Sequence, residues 1–264
     1  MTLPDILMED DSLVAFDKPS GLPVSPNPWE KAKATLMGLA RPRYGEALAN
    51  VHRLDAEASG VVLCAKTKEA LDFLSGQFQS KTVRKLHSAM VVLAPLDAAA
   101  QAAGGVRDAS GALPAEFTVD ADLGPDEHRP GCVRVYRRRG GKPAETAFTV
   151  LEAFGRFAWL ECRPLTGRTH QVRVHLASIG APVLNDRHYG DPEVRLLLSD
   201  LKRGYKGVES EKPMLTRLAL HAGLLGFAHP LSREKVEVVS PLPREYEVAL
   251  KNLRKFARPA RKAG

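Results

Sequence analysis

Cysteine is scarce in this 264-residue chain: Cys64, Cys132 and Cys162 are odd in number, widely spaced and form no CxxC pair. Neither a disulfide framework nor a zinc knuckle is encoded. Long apolar runs are lacking as well. The best uncharged stretch, Ala89 to Leu96, stops at Asp97, well short of the roughly 18 residues that a membrane span needs. Basic residues are absent from Met1 to Asp11, which instead hold Asp5, Glu9, Asp10 and Asp11, the opposite of a secretory or organellar leader. The chain therefore reads as cytosolic, with no membrane partner. Aromatic residues make up only 6%, yet 44% of the chain is hydrophobic, enough to offset the ordering entropy of about 1–2 kcal/mol per residue and to exclude disorder over most of the length.

Acid is missing from residues 251–264, which carry Lys251, Arg254, Lys255, Arg258, Arg261 and Lys262, so most of the formal charge of +7 sits there. The rest of the chain is nearly balanced. A basic segment containing Pro259 predicts a flexible arm, for phosphates or for solubility, behind a folded domain of residues 1–250.

Among the elements, Leu13–Phe16 reads as a strand broken by Lys18-Pro-Ser-Gly21, and Val61–Ala65 as a buried strand. Ala70, Leu71, Leu74 and Phe78 recur at helical spacing behind Thr67, a good N-cap. Met90–Leu93 is another strand, and residues 97–114, rich in Ala, Gly and Asp, are a loop or insertion. Ala147–Leu151 and Phe157–Cys162, separated by Gly155, predict an antiparallel pair. Leu165–Gly180 is ambiguous in period, but Thr166 at one end and Gly180 and Pro182 at the other favour a helix. Strands mixed with helices without strict alternation predict an α+β fold with a largely antiparallel sheet.

Three polar stretches stand within apolar surroundings: His52-Arg-Leu-Asp55 with Ser59-Gly60, Arg168-Thr-His-Gln-Val-Arg173 with His175, and His221-Ala222 with His229-Pro230. Asp55, beside Leu54 and an apolar strand, is either a turn-forming residue or a carboxylate that needs a cation. Arg168 at a helix start is the natural cation. His170 and His175 are five apart and do not share a helix face, so they and His221 and His229 make no metal site. Asp55 and Glu57, two apart, do not form the opposed carboxylates of a glycosidase. P-loop, GxGxxG and GxSxG patterns are all lacking.

These residues resemble the RluA-type pseudouridine synthases. His52-Arg-Leu-Asp55 with Ser59-Gly60 is similar to that family's HRLD-x-x-x-SG motif, and Gly167–Leu176 with Gly180, Pro182, Asp186 and Tyr189-Gly190 to its second signature. Leu220-His-Ala222, Leu224, Phe227, His229-Pro230, Pro241-Leu-Pro243 and the opening Lys18-Pro-Ser-Gly21 complete the likeness, which runs over residues 14–246. It implies a pseudouridine synthase fold, with a mixed, largely antiparallel sheet, flanking helices and a central RNA-binding cleft. It also implies isomerisation of uridine in ribosomal or transfer RNA by a monomer, without cofactor or metal. By the resemblance Asp55 is the catalytic aspartate and Arg168 its ion-pair partner. Arg53 enters the RNA stack as the target base flips out, and Lys85, His52 and Leu176 contact the substrate.

Two departures stand out. The family's K-x-Y-x-A falls on Lys85-Leu-His87-Ser-Ala89, so an imidazole titrating near pH 6.5 replaces the tyrosine ring that stacks on uracil. The opening motif's histidine is Ser25. A non-catalytic RNA-binding or RNA-folding protein on the same fold is the rival reading. Residues before the first strand are too few for an S4-like domain, leaving RNA capture to the cleft, the terminal arm, and Arg134, Arg137, Arg138, Arg139 and Lys142, a run that reads equally as a solvated hairpin tip.

Overall fold

The computed structural model describes residues 2–26, 34–95, 106–136, 140–202, 204–205 and 210–257. In chain order its first elements are β1 (Ile6–Glu9), β2 (Leu13–Lys18), α1 (Leu36–Tyr44), β3 (Ala49–Asn50), β4 (Ser59–Ala65), α2 (Lys68–Gln79) and β5 (Arg84–Val92). β6 (Glu116–Asp120), β7 (Asp122–Pro125), β8 (Val133–Tyr136), β9 (Glu145–Phe154) and β10 (Phe157–Pro164) follow. The last are α3 (Gln171–Ser178), α4 (Leu198–Leu201), β11 (Leu220–Ala228), β12 (Lys235–Val239) and α5 (Arg244–Phe256). The chain forms two compact units, residues 1–87 with 221–241 and residues 88–220 with 242–264.

In the first unit the strands run in the order β1-β2-β4-β11, with β3 beside β4 and β12 beside β11. All pair antiparallel except β4 and β11. Both faces of β2 and β4 are buried, which explains their unbroken apolar sequences. Leu13, Ala15, Val61 and Leu63 pack under Ala70 and Leu74 of α2. On the opposite face Val14, Phe16, Val62 and Cys64 meet Leu36, Met37 and Ala40 of α1. Thr67 caps α2 as expected, its hydroxyl accepting from Ala70 N at 3.2 Å.

The second unit holds the part of β5 from Ser88 on, followed in the sheet by β10, β9 and β6, and the β7-β8 hairpin. The expected β9-β10 pair turns at Gly155, whose φ is +62°. The helix expected over 165–180 is shorter: α3 starts at Gln171, behind His170 in the left-handed region at φ +52°. Thr166 does not cap it. Its hydroxyl donates to Gln171 Oε1 at 2.7 Å and accepts from Glu145 N at 3.0 Å, tying the loop to β9. Gly180 takes the left-handed turn predicted for it, φ +71°.

The basic segment is also shorter than expected. Residues 251–256 continue α5, where Tyr246, Ala249, Leu250 and Leu253 are buried, and Arg254 pairs with Glu152. Residues 258–264, Arg137 to Arg139 and residues 97–105 of the 97–114 insertion lie outside the described residues. Among the described residues no helix is long and apolar enough to cross a membrane.

Candidate active site

Asp55 sits half-buried on the turn between β3 and β4, and the main chain of that turn is held at every step. Ala58 N donates to Asp55 O at 3.2 Å, and Gly21 N to Ala56 O at 2.7 Å. Ser20 Oγ donates to Glu57 O. The Lys18 ammonium, fully buried, donates to Ala56 O at 3.0 Å and Ala58 O at 2.6 Å, and also to Leu22 O and Pro19 O. Lys18-Pro-Ser-Gly21, read from sequence only as a strand break and a motif, is thus the clasp of the Asp55 turn. Gly21 is needed because its φ is +86°. Gly60 is needed for a different reason: a Cβ there would stand 2.2 Å from Ala222 O of β11.

Replacing Lys18 with methionine leaves buried carbonyls short of donors, each costing about 1–3 kcal/mol. A loss of about 2–4 kcal/mol is expected in urea unfolding, with slower turnover in the folded fraction. Unchanged stability would show that the clasp does not brace the turn.

The first unit gathers four further expected site residues. His52 Nε2 accepts from Leu63 N at 3.1 Å, and its ring stacks on Phe78 with centroids 5.0 Å apart. The ring named from sequence as a substrate contact is therefore engaged by the protein's own strand and helix. Burial and the nearby Lys85 charge push its pKa down to about 4. Burial lowers Lys85 itself to about 8. His87, two residues on along β5, is pushed down to about 3 by burial, Lys85, His52 and His221. This overturns the expectation of titration near pH 6.5, and His87 presents a neutral ring at physiological pH. Its Nδ1 is buried with no hydrogen-bond partner among the described residues. Arg53 is exposed.

The two imidazoles link stability to acid. Their folded values lie below the 6.5 of an unfolded histidine, so the unfolded chain binds more protons between these limits. Their contribution is complete above pH 6.5 and is lost as pH falls towards 3–4. The urea midpoint is expected to drop from pH 7 to pH 5, less steeply in His52→Phe. An equal drop in both proteins would remove His52 as a cause.

Arg168 and Leu176 belong to the second unit. Arg168 is exposed; its Nε donates to Pro143 O at 3.1 Å, and its backbone N to Gln171 Oε1 at 3.0 Å. Leu176, expected to contact substrate, is 0% exposed on α3. It packs inside the second unit. Beneath the same loop lies a pair the sequence reading passed over. Arg173 donates through Nε and Nη2 to both Asp186 oxygens at 2.7 and 2.8 Å, with both side chains at most 1% exposed. Asp186 also accepts from His188 N and Tyr189 N, and Tyr189 Oη meets His170 Nδ1 at 2.8 Å, so the pair fixes the turn against the start of α3. The i, i+13 spacing of two charges inside apolar sequence was the available signal.

Two further histidines are engaged by the fold. His229 bonds Asp10 at 2.8 Å and His175 Nδ1 meets Thr146 at 3.0 Å. No His, Cys, Asp and Glu cluster suited to a metal occurs among the described residues.

Residues 12–178 match the RNA pseudouridylate synthase family model. The ribosomal large subunit pseudouridine synthase D of Neisseria meningitidis is 34% identical over 258 residues, covering 95% of this chain and 61% of that protein's length. The ribosomal large subunit pseudouridine synthase C of Vibrio cholerae is 35% identical, covering 94% of this chain and 69% of that protein. Among solved structures, human RNA pseudouridylate synthase domain containing 4 superposes with a TM-score of 0.65 at 26% identity, over 96% of this chain and 94% of that one. With the Asp55 turn, its clasp and these matches together, the chain belongs to the RNA pseudouridylate synthase family.

Proposed function

We propose that this chain isomerises uridine in ribosomal or transfer RNA to pseudouridine, with Asp55 as its catalytic residue. The observation that carries this reading is the Asp55 turn itself: a carboxylate on backbone bonded at each of four successive carbonyls, which fixes it for work on a substrate. The reaction breaks the N1–C1′ bond, turns the uracil and joins C5 to C1′; the C5 hydrogen leaves and N1 gains one, with no net redox change. Asp55 attacks C1′ or removes the C2′ proton, and both routes need it ionised. Arg53 fills the stack vacated by the flipped nucleotide. His87 offers the uracil a flat neutral ring, with Lys85 beside it.

Because C5 loses its hydrogen, RNA labelled with tritium at C5 of uridine reports the reaction directly. Wild-type protein is expected to release tritium from ribosomal or transfer RNA; binding without release would favour the rival RNA-binding reading. In the same assay His87→Ala should slow turnover about tenfold or more, since base stacking contributes about 1–3 kcal/mol, whereas His87→Tyr should retain or raise it. Equal rates in all three would exclude the ring from the site.

A further inference from the structure

The parallel pairing of β4 with β11 sets His221 opposite Ser59, where the turn carrying Asp55 enters the sheet. His221 Nδ1 lies 2.8 Å from Ser59 Oγ. Its Nε2 lies 3.2 Å from both the carbonyl oxygen and Oγ of Ser240, and Ser240 Oγ donates to Asp17 Oδ1 at 2.8 Å. Ser59, His221 and Ser240 are each at most 3% exposed. Chemistry fixes the proton directions. A carbonyl can only accept, and the Ser240 hydroxyl hydrogen already goes to Asp17, so Nε2 carries the ring hydrogen and donates. With the ring uncharged and Nε2 protonated, Nδ1 is an acceptor and the Ser59 hydroxyl donates into it.

We propose that Asp17, Ser240 and His221 form a positioning relay for Asp55, acting through Ser59. This rests on the role given to Asp55 above. The Asp55 turn has two supports that start from adjacent residues of β2. Lys18 holds its carbonyls, and Asp17, through Ser240 and His221, holds the serine at its carboxyl end. Ser59, His221 and Ser240 are buried and Asp17 is half-buried in the strand, so their effect is on where the carboxylate stands. A displacement of about 1 Å can cost about a hundredfold in rate.

The test uses the full chain and a transcript spanning a uridine it modifies. Ser59→Ala and His221→Gln should each lower kcat about 10- to 100-fold with KM for RNA within about twofold. The double variant should be no slower than the slower single one, because both break one bond. His221→Asn, whose amide oxygen takes the place of Nδ1 and accepts from Ser59, should recover kcat to within about fivefold of wild type. A purely structural histidine would make kcat follow thermal stability in both His221 variants. Multiplying losses in the double variant, or His221→Asn as slow as His221→Gln, would overturn the relay. Should His221→Gln not fold, Ser240→Ala removes only the link to Asp17; its kcat should fall several-fold, and an unchanged kcat overturns the proposal. Failure of the wild-type chain to make pseudouridine would instead refute the function proposed above. The relay is then judged by deuterium exchange at Ala58 to Gly60, expected to rise in Ser59→Ala and His221→Gln but not in His221→Asn. Equal exchange in all of them rejects it.

Discussion

Asp55→Asn is expected to lose pseudouridine formation by at least about 10⁴-fold while RNA affinity stays within about threefold. The amide keeps the shape of the side chain but has neither the charge nor the basicity that either route requires. The turn is held through its backbone carbonyls and by Lys18, Ser20 and Gly21, none of which depends on the carboxylate, so the variant should fold as wild type does. Single-turnover tritium release together with filter binding separates the two quantities. Activity within tenfold of wild type would remove Asp55 from the chemistry.

Arg173→Met should have the largest effect on stability, about 3–5 kcal/mol, because it leaves Asp186 charged and buried without its counterion. Both side chains are at most 1% exposed. Burial pushes the Asp186 pKa up, but the bonds and charge of Arg173 outweigh it and hold the carboxyl below its ordinary 3.8. In wild type that contribution is therefore complete above about pH 4 and is lost as pH falls through the lower folded value. Without Arg173 the balance reverses, since burial alone raises the pKa and protonation then relieves the folded state. The deficit relative to wild type should accordingly shrink between pH 7 and pH 5. Adding Asp186→Asn, which keeps an acceptor for His188 N and Tyr189 N, should recover roughly half of the loss at pH 7. Urea unfolding of the three proteins tests this; a single variant as stable as wild type would show that the pair contributes nothing.

Local signals were legible and distant pairings were not. Thr67 before a run of helical spacing gave α2, and Gly155 between alternating segments gave β9-β10, because cap and turn chemistry act within a few residues. Thr166 misled for a physical reason. Its hydroxyl is used by Glu145 and Gln171, and the left-handed His170 delays the helix start. Six basic residues between 251 and 264 hid the spacing of Tyr246, Leu250 and Leu253, which is that of an amphipathic helix. Asp55 was found through a motif, but what holds it was not. Lys18 meets Ala56 and Ala58 across 38 and 40 residues, and Ser59 meets His221 across 162. Strand pairing creates such contacts, and no local period announces them.

The most direct measurement is a pseudouridine map. Unmodified ribosomal and transfer RNA transcripts are incubated with the wild-type chain, with Asp55→Asn or without protein, then treated with carbodiimide and reverse-transcribed. Wild type is expected to produce new stops at one or a few defined uridines, absent from the other two samples. Identical maps in all three would contradict the assignment of uridine isomerisation to this chain, and wild-type stops that persist with Asp55→Asn would contradict the role of Asp55.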